Sequence, residues 1–360
     1  MLGRSPLYAE TATAAVRIGS LKGNPVVRFS TVLFLALLPL SVLPAAAGGR
    51  TDGAPEADTF LWQVSRGGRP AGYLIGTVHV GKKGSTLSGN FQAALKDSRR
   101  LVLETEALDE SYLLAHPIDA LRLIRLTLSD RPLKDTLGQA RLDKIRAQLK
   151  GSVAENLAGA VTPESRLAPQ QLLANLGYAF LPGSEYGAEY GVDMLLLAEA
   201  RRQGKPVHGL EFDEPLVYLN SIGVETAARA IDAMLADAAQ SRKSVVRLIA
   251  LHSQNRAREM WRVMKSSDER SLKGLPKQDQ AALKDLFDNK LLKQRNQNWL
   301  PKLDGYLSRP GGTTVAVGAA HLFGRHGLIV RLRQRGYTVK PLAAVHPKPV
   351  RQPEKAKQAA

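Results

Sequence analysis

The sequence predicts a mixed α/β fold of the α+β kind, with a central mixed sheet, flanking helices and a helical insert at about 110–180. Three observations predict it. Short apolar runs bounded by Gly, Pro or polar residues recur near 60–64, 72–76, 101–105, 206–210, 313–317 and 337–342, as buried strands do. Between them lie longer stretches whose apolar residues fall three and four apart, as in helices. Two of the runs also end alike, in Gly76-Thr77-Val78-His79 and Gly318-Ala319-Ala320-His321. A strand that closes on glycine can turn sharply. Each histidine is therefore expected at the carboxyl edge of its strand, where open α/β sheets place their ligands.

The elements follow in order. Phe60–Val64 and Gly72–Gly76 read as a hairpin with its turn at Gly67-Gly68-Arg69-Pro70. Leu87–Ser98 reads as a helix, and Leu101–Thr105 as a buried strand closing on Glu104. A carboxylate ending a core strand is costly to bury without a partner, so Glu104 is a candidate for the same edge as the histidines. From about 110 to 177 the pattern is helical, for example at Leu142, Ile145 and Leu149, with breaks at Arg131-Pro132, Gly151 and Thr162-Pro163. A glycine-containing loop is expected at Leu181–Gly191, then a helix at Val192–Gln203 stopped by Gly204. The strand Pro206–Leu210 leads into Glu211, a second candidate carboxylate, while His208 within it reads as a packed residue. Val224–Leu300 is mostly helical and ends in Arg295-Asn296-Gln297-Asn298-Trp299, where Arg295 or Asn296 can point into a site and Trp299 suits a core. The strand Thr313–Val317 delivers His321, a helix spans Gly327–Arg335, and Tyr337–Leu342 is the last strand.

The chain has 360 residues and an ordinary globular balance, 44% hydrophobic and 23% charged, enough for one large domain, here 48–345. The first 47 residues stand apart. Arg4, Arg17, Lys22 and Arg28 precede an apolar run, Val32–Leu43, and Pro44-Ala45-Ala46-Ala47 follows. This order describes a secretory signal peptide cut near Ala47, so a periplasmic or secreted protein with no stable membrane span is expected. Without the leader the chain carries 46 basic against 32 acidic residues, about +14. The basic residues are spread through the helices without interleaved aromatics, which argues against a nucleic-acid groove. The basic tail 346–360, rich in Pro, Lys and Gln, is expected to be disordered.

The chain has no cysteine, so disulfides, thiolate catalysis and thiolate metal ligands are excluded. Any metal must be held by His, Asp or Glu, which suits zinc, manganese, cobalt or iron. The run Gly76 to Lys83 matches a phosphate-binding loop through Lys82, but Lys83 stands where Ser or Thr is required and glycine follows at once. The sequence also lacks His-Glu-x-x-His, Gly-x-Ser-x-Gly and a strand-borne Gly-x-Gly-x-x-Gly. What remains is two histidines and one or two glutamates on strand ends. Such groups can hold a divalent cation that activates water, or can do acid–base chemistry without one.

These motifs, with Leu61-Trp62, Gly191-Val192-Asp193, Gly209-Leu210-Glu211, Arg295-Asn296 and Trp299, resemble the TraB/GumN family from Phe60 to Leu342. The Tiki metalloproteases are its distant relatives. The resemblance implies a mixed α/β fold, related to erythromycin esterases and haem-binding ChaN-like proteins, with both histidines and the matching glutamate at one site. It implies divalent-metal-dependent peptidase activity in the Tiki branch, favouring manganese or cobalt. One departure is Phe212-Asp213-Glu214-Pro215 after Glu211, where many members carry a glutamine-containing helix start. The resulting expectation is an exported metal-dependent hydrolase of the peptidase type. His79, His321 and Glu104 would ligate the metal (Mn, Co or Zn), Glu104, Glu211 and Arg295 would act in catalysis, and Asp193 and Asn296 would contact a peptide or small-molecule substrate. The alternatives are a non-catalytic protein that sequesters a peptide signal or haem-like ligand, and a metal-free esterase.

Overall fold

The computed structural model describes residues 53–342, the side chains of 267–271 excepted. The leader expected at 1–47 and the tail expected at 346–360 lie outside the described residues. The strands are β1 (Leu61–Arg66), β2 (Arg69–Thr77), β3 (Gly81–Lys82), β4 (Arg100–Thr105), β5 (Tyr186–Gly187), β6 (Val207–Glu211), β7 (Thr313–Gly318) and β8 (Thr338–Pro341). Six of them form one mixed sheet in the order β6-β4-β7-β2-β1-β8. The first four run parallel, and β1 is antiparallel to both of its neighbours.

Parallel strands inside a layered fold are covered on both faces, so they read as continuous rather than alternating apolar runs. Every residue of β7 is buried, which is why Thr313–Val317 is legible as a strand. Its place in the sheet matters most for the site. β7 lies between β2 and β4, with Gly76 opposite Val317 and Thr77 opposite Gly318, so the two Gly-x-x-His turns are neighbours. They come close because Gly76 has no side chain: a Cβ there would meet Leu322 Cδ1 at 2.9 Å and Ala319 Cα at 3.2 Å.

Two local expectations need correction. Pro70 is not in the turn, which is made by Gly67 and Gly68, both with positive φ. It pairs with Ser65 inside β2, next to a register shift between Val64 and Ser65, and proline is tolerated beside such an irregularity because the ladder is already broken. The stretch 181–191 is not wholly loop, since β5 pairs with β3 in a separate two-stranded sheet. After β3 the chain turns at 83–84 and no helix starts before Gly89, unlike a phosphate-binding loop.

The expected insert consists of helices Glu110–Ala115, Pro117–Leu126, Leu133–Thr136, Gln139–Leu149 and Pro169–Leu176. Helix Val192–Arg202 packs on β4. The later helical region holds Val224–Ala236, Ala238–Ser253, Ala257–Leu272 and Lys277–Lys284, then a π-helical stretch, Asp285–Gln294, that runs into helix Arg295–Leu307. π-Helical turns are uncommon and are frequently found at functional sites. No helix among the described residues is long and apolar enough to cross a membrane.

His252, from helix Ala238–Ser253, braces the first motif. Its Nε2–H donates to the Gly76 carbonyl at 2.7 Å and its ring stacks on Phe60 at 4.2 Å. Burial pushes its pKa down from 6.5 to about 4, against the weaker upward pull of that hydrogen bond. The unfolded chain therefore binds more protons between those two values, and stability rises with pH across that window. The contribution of this group, on the order of 3 kcal/mol, is lost as pH falls from about 6.5 towards 4. Urea midpoints measured across that range should fall accordingly, and the slope should flatten in His252→Gln.

Candidate active site

The carboxyl ends of four adjacent parallel strands supply the site. β2 leads to His79, β4 carries Glu104 one residue before its end, β6 closes on Glu211, and β7 ends at Gly318 with His321 one turn beyond. Arg295 and Asn296 reach them from the point where the π-helical stretch gives way to helix Arg295–Leu307.

Arg295, 1% exposed, is the hub. Its Nη2 donates to Glu104 Oε2 at 2.5 Å and also to Glu211 Oε1, and its Nε donates to Glu211 Oε1 at 2.8 Å. Its Nη1 donates to the Leu291 carbonyl at 3.2 Å and lies 3.2 Å from His321 Nε2. A guanidinium can only donate, so His321 Nε2 is the acceptor and its proton sits on Nδ1, directed at Asn296 Oδ1 at 2.8 Å. Asn296 Nδ2 in turn donates to the carbonyls of His321 and His326. Glu211 Oε2 accepts from Trp299 Nε1 at 2.9 Å, so the tryptophan is a core residue whose polar edge is used.

Glu104 Oε1 accepts from the Gly318 N–H at 2.6 Å and lies 3.8 Å from His321 Nε2. His79 Nδ1 meets Asp193 Oδ1 at 3.1 Å. A Cβ built on Gly318 would stand 3.2 Å from His79 Nε2 and 3.3 Å from Glu104 Oε1. The two groups thus face one another across the residue that has no side chain.

The charges divide by environment. Burial alone would raise Glu104, but Arg295 first and then the two imidazoles outweigh it and hold the carboxyl at about 2. Burial raises Glu211 to about 7, against the pull of Arg295. Two carboxylates sharing one cation separate in this way, one ionised and one close to its protonated form. Burial drives His321 down to about 3, and Glu104 opposes it only in part, so this imidazole is neutral. His79 differs. Burial lowers it, but Asp193 and then Glu104 outweigh burial and raise it above 6.5.

The structure brings His79, His321, Glu104, Glu211, Arg295, Asn296 and Asp193 together. It places Asp193 and Asn296, 3% and 2% exposed, as the Nδ1 partners of the two imidazoles. Both side chains face the imidazoles rather than solvent. Tyr178, missed in the sequence, is fully buried, and Asp193 and Glu104 add to burial in raising its hydroxyl well above 10. His208 stacks on Tyr306 at 5.3 Å, outside this cluster. A cavity of about 590 Å³ reaches the far side of Glu211 between Tyr112, Phe212 and Tyr306, and touches neither His79 nor His321.

A divalent cation does not fit the donors as they are arranged. The Arg295 guanidinium already fills the space between Glu104, Glu211 and His321 Nε2, and among the described residues no group of three His, Asp or Glu side chains converges with metal-ligand geometry.

The family model described as TraB/PrgY/gumN family matches residues 60–341. A search of curated proteins returned no match.

Proposed function

The chain belongs to the TraB/PrgY/gumN family, and from the geometry of its site we propose that it is an exported hydrolase whose general base is His79, working without a metal. The export rests on the leader expected at 1–47. One observation carries the chemistry: His79 Nε2 and Glu104 Oε1 flank Gly318, a Cβ built there standing 3.2 Å from the first and 3.3 Å from the second, so no side chain separates the base from the carboxylate and the attacking water is assigned to the gap between them. His79 holds its proton on Nδ1 against Asp193, so Nε2 is free to take a proton from that water. The imidazolium that forms is stabilised by Asp193 on one side and by ionised Glu104 on the other. A pKa raised above 6.5 suits a base that works near neutral pH.

Gly318→Ala tests this directly. Its φ of −49° is open to any residue, so the variant should fold, with its methyl group pressed between His79 and Glu104. Hydrolysis of an ester and peptide panel should fall by at least about 100-fold, the cost of displacing one reactant by about 1 Å, and His79→Ala should be as impaired. Wild-type rates should survive a chelator. A Gly318→Ala protein with full activity would overturn the assignment.

The metal-dependent peptidase is the second reading, and a specific observation favours it. Both imidazoles are tied at Nδ1, to Asp193 and to Asn296, and turn Nε2 towards Glu104, as paired metal-binding histidines do. It requires Arg295 to withdraw from His321. Its signature is peptide cleavage lost to a chelator and restored by manganese, cobalt or zinc.

A further inference from the structure

His79 borders a narrow cleft whose lining is mostly apolar. Val245, Leu248 and Ile249 of helix Ala238–Ser253, Met260 and Met264 of helix Ala257–Leu272, and Gly318, Ala319 and Ala320 line it. The cleft encloses about 60 Å³, well below the roughly 300–1,000 Å³ of pockets that swallow a whole ligand. It has room for one short apolar group. The thioethers of Met260 and Met264 can shift to fit groups of different shape.

One polar feature interrupts this lining besides His79 itself. Thr77, 2% exposed, borders the cleft, and its Oγ1 is buried with no hydrogen-bond partner among the described residues. Buried hydroxyls are nearly always satisfied, so an orphaned one calls for an explanation. A ligand atom supplies it. Thr77 ends β2 two residues before His79, and both residues line the cleft.

We infer that this cleft is the subsite for a short aliphatic group carried on the substrate's carbonyl, and that Thr77 Oγ1 hydrogen-bonds the polar atom next to that group. The aliphatic group can come from an acyl chain or from the side chain of a peptide residue. This assignment rests on the hydrolase reading and sets its substrate class: the scissile bond is flanked by a short apolar group.

Binding by the intact chain, measured by calorimetry, tests the subsite apart from turnover. The probes are acetate, butyrate and hexanoate for the acyl source, and N-acetyl-glycinamide and N-acetyl-leucinamide for the peptide source. Affinity should rise at least tenfold from the smallest to the largest member of one series, and the series that responds identifies the source. Ile249→Trp, at a partly exposed wall position, should abolish that gain. Thr77→Val, which keeps the shape and drops the hydroxyl, should weaken every member several-fold and leave the size dependence in place. Equal affinity for small and large probes in both series, or a gain untouched by Ile249→Trp in a variant with wild-type melting, would overturn the subsite. Size-dependent binding by a protein that hydrolyses neither esters nor peptides would sink the hydrolase reading and leave the subsite standing.

Discussion

Arg295→Met is expected to lower stability by about 3–5 kcal/mol, the usual cost of removing one partner from a buried ion pair. The size of the effect follows from what is left behind. Glu104, Glu211 and Arg295 are all nearly excluded from water, and Arg295 is the cation that both carboxyls share. With methionine in its place, Glu104 keeps only the Gly318 N–H and the imidazoles, and Glu211 keeps only Trp299. Lysine should not rescue the variant, because a single ammonium cannot meet Glu104, Glu211 and His321 in the fork geometry of a guanidinium. Glu104→Gln combined with Glu211→Gln should recover much of the loss in the Arg295→Met background, since no buried charge then lacks a partner. Urea midpoints of the four proteins measure it. A loss below about 1 kcal/mol in the single variant would mean that the hub is hydrated and that the ion cluster does not hold these strand ends together.

The strands that carry the site were legible because parallel strands covered on both faces are continuous apolar runs, and a glycine at the end of such a run marks where the chain can turn. That is how His79, His321, Glu104 and Glu211 could be found one by one. Their meeting was an expectation carried by the shared Gly-x-x-His endings and the family resemblance; no local pattern shows it, because the insertion of β7 between β2 and β4 pairs segments more than 200 residues apart. The same limit hid β3 and β5, whose two-residue pairing is too short for a pattern, and the π-helical turns before Arg295, which share the apolar spacing of an α-helix. Residue types suggested metal ligands, since His and Glu are what an ion needs. The structure puts an arginine among them, and nothing in the spacing of Arg295 to Trp299 said that its guanidinium would be the cation those carboxylates face. Asp193 carried a faint signal as the acid in the first turn of helix Val192–Arg202. Its hydrogen bond to His79, 114 residues away in sequence, did not.

Asp193→Asn should lower kcat/KM for hydrolysis by roughly 100- to 10,000-fold, the range by which a positioned general base contributes, while the protein still folds. Asp193 Oδ1 meets His79 Nδ1, and Oδ2 has no hydrogen-bond partner among the described residues. The asparagine amide can therefore sit in either of two orientations. With its NH2 towards His79 it donates to Nδ1, moves the proton to Nε2 and removes the lone pair that takes the proton from water. With its oxygen towards His79 the tautomer survives, but the charge that stabilises the imidazolium is gone. The second case has its own signature. Catalysis needs neutral His79, so kcat/KM rises with pH through the pKa of this residue, which lies above 6.5 because Asp193 and then Glu104 outweigh burial. Removing the Asp193 charge lets burial prevail to a greater extent, and the rising limb should move to lower pH as the plateau drops. A purely structural role would lower the plateau without moving the limb. Rates within twofold of wild type and an unmoved profile would show that His79 is not the base, and would shift attention to Glu104 as the group that activates water.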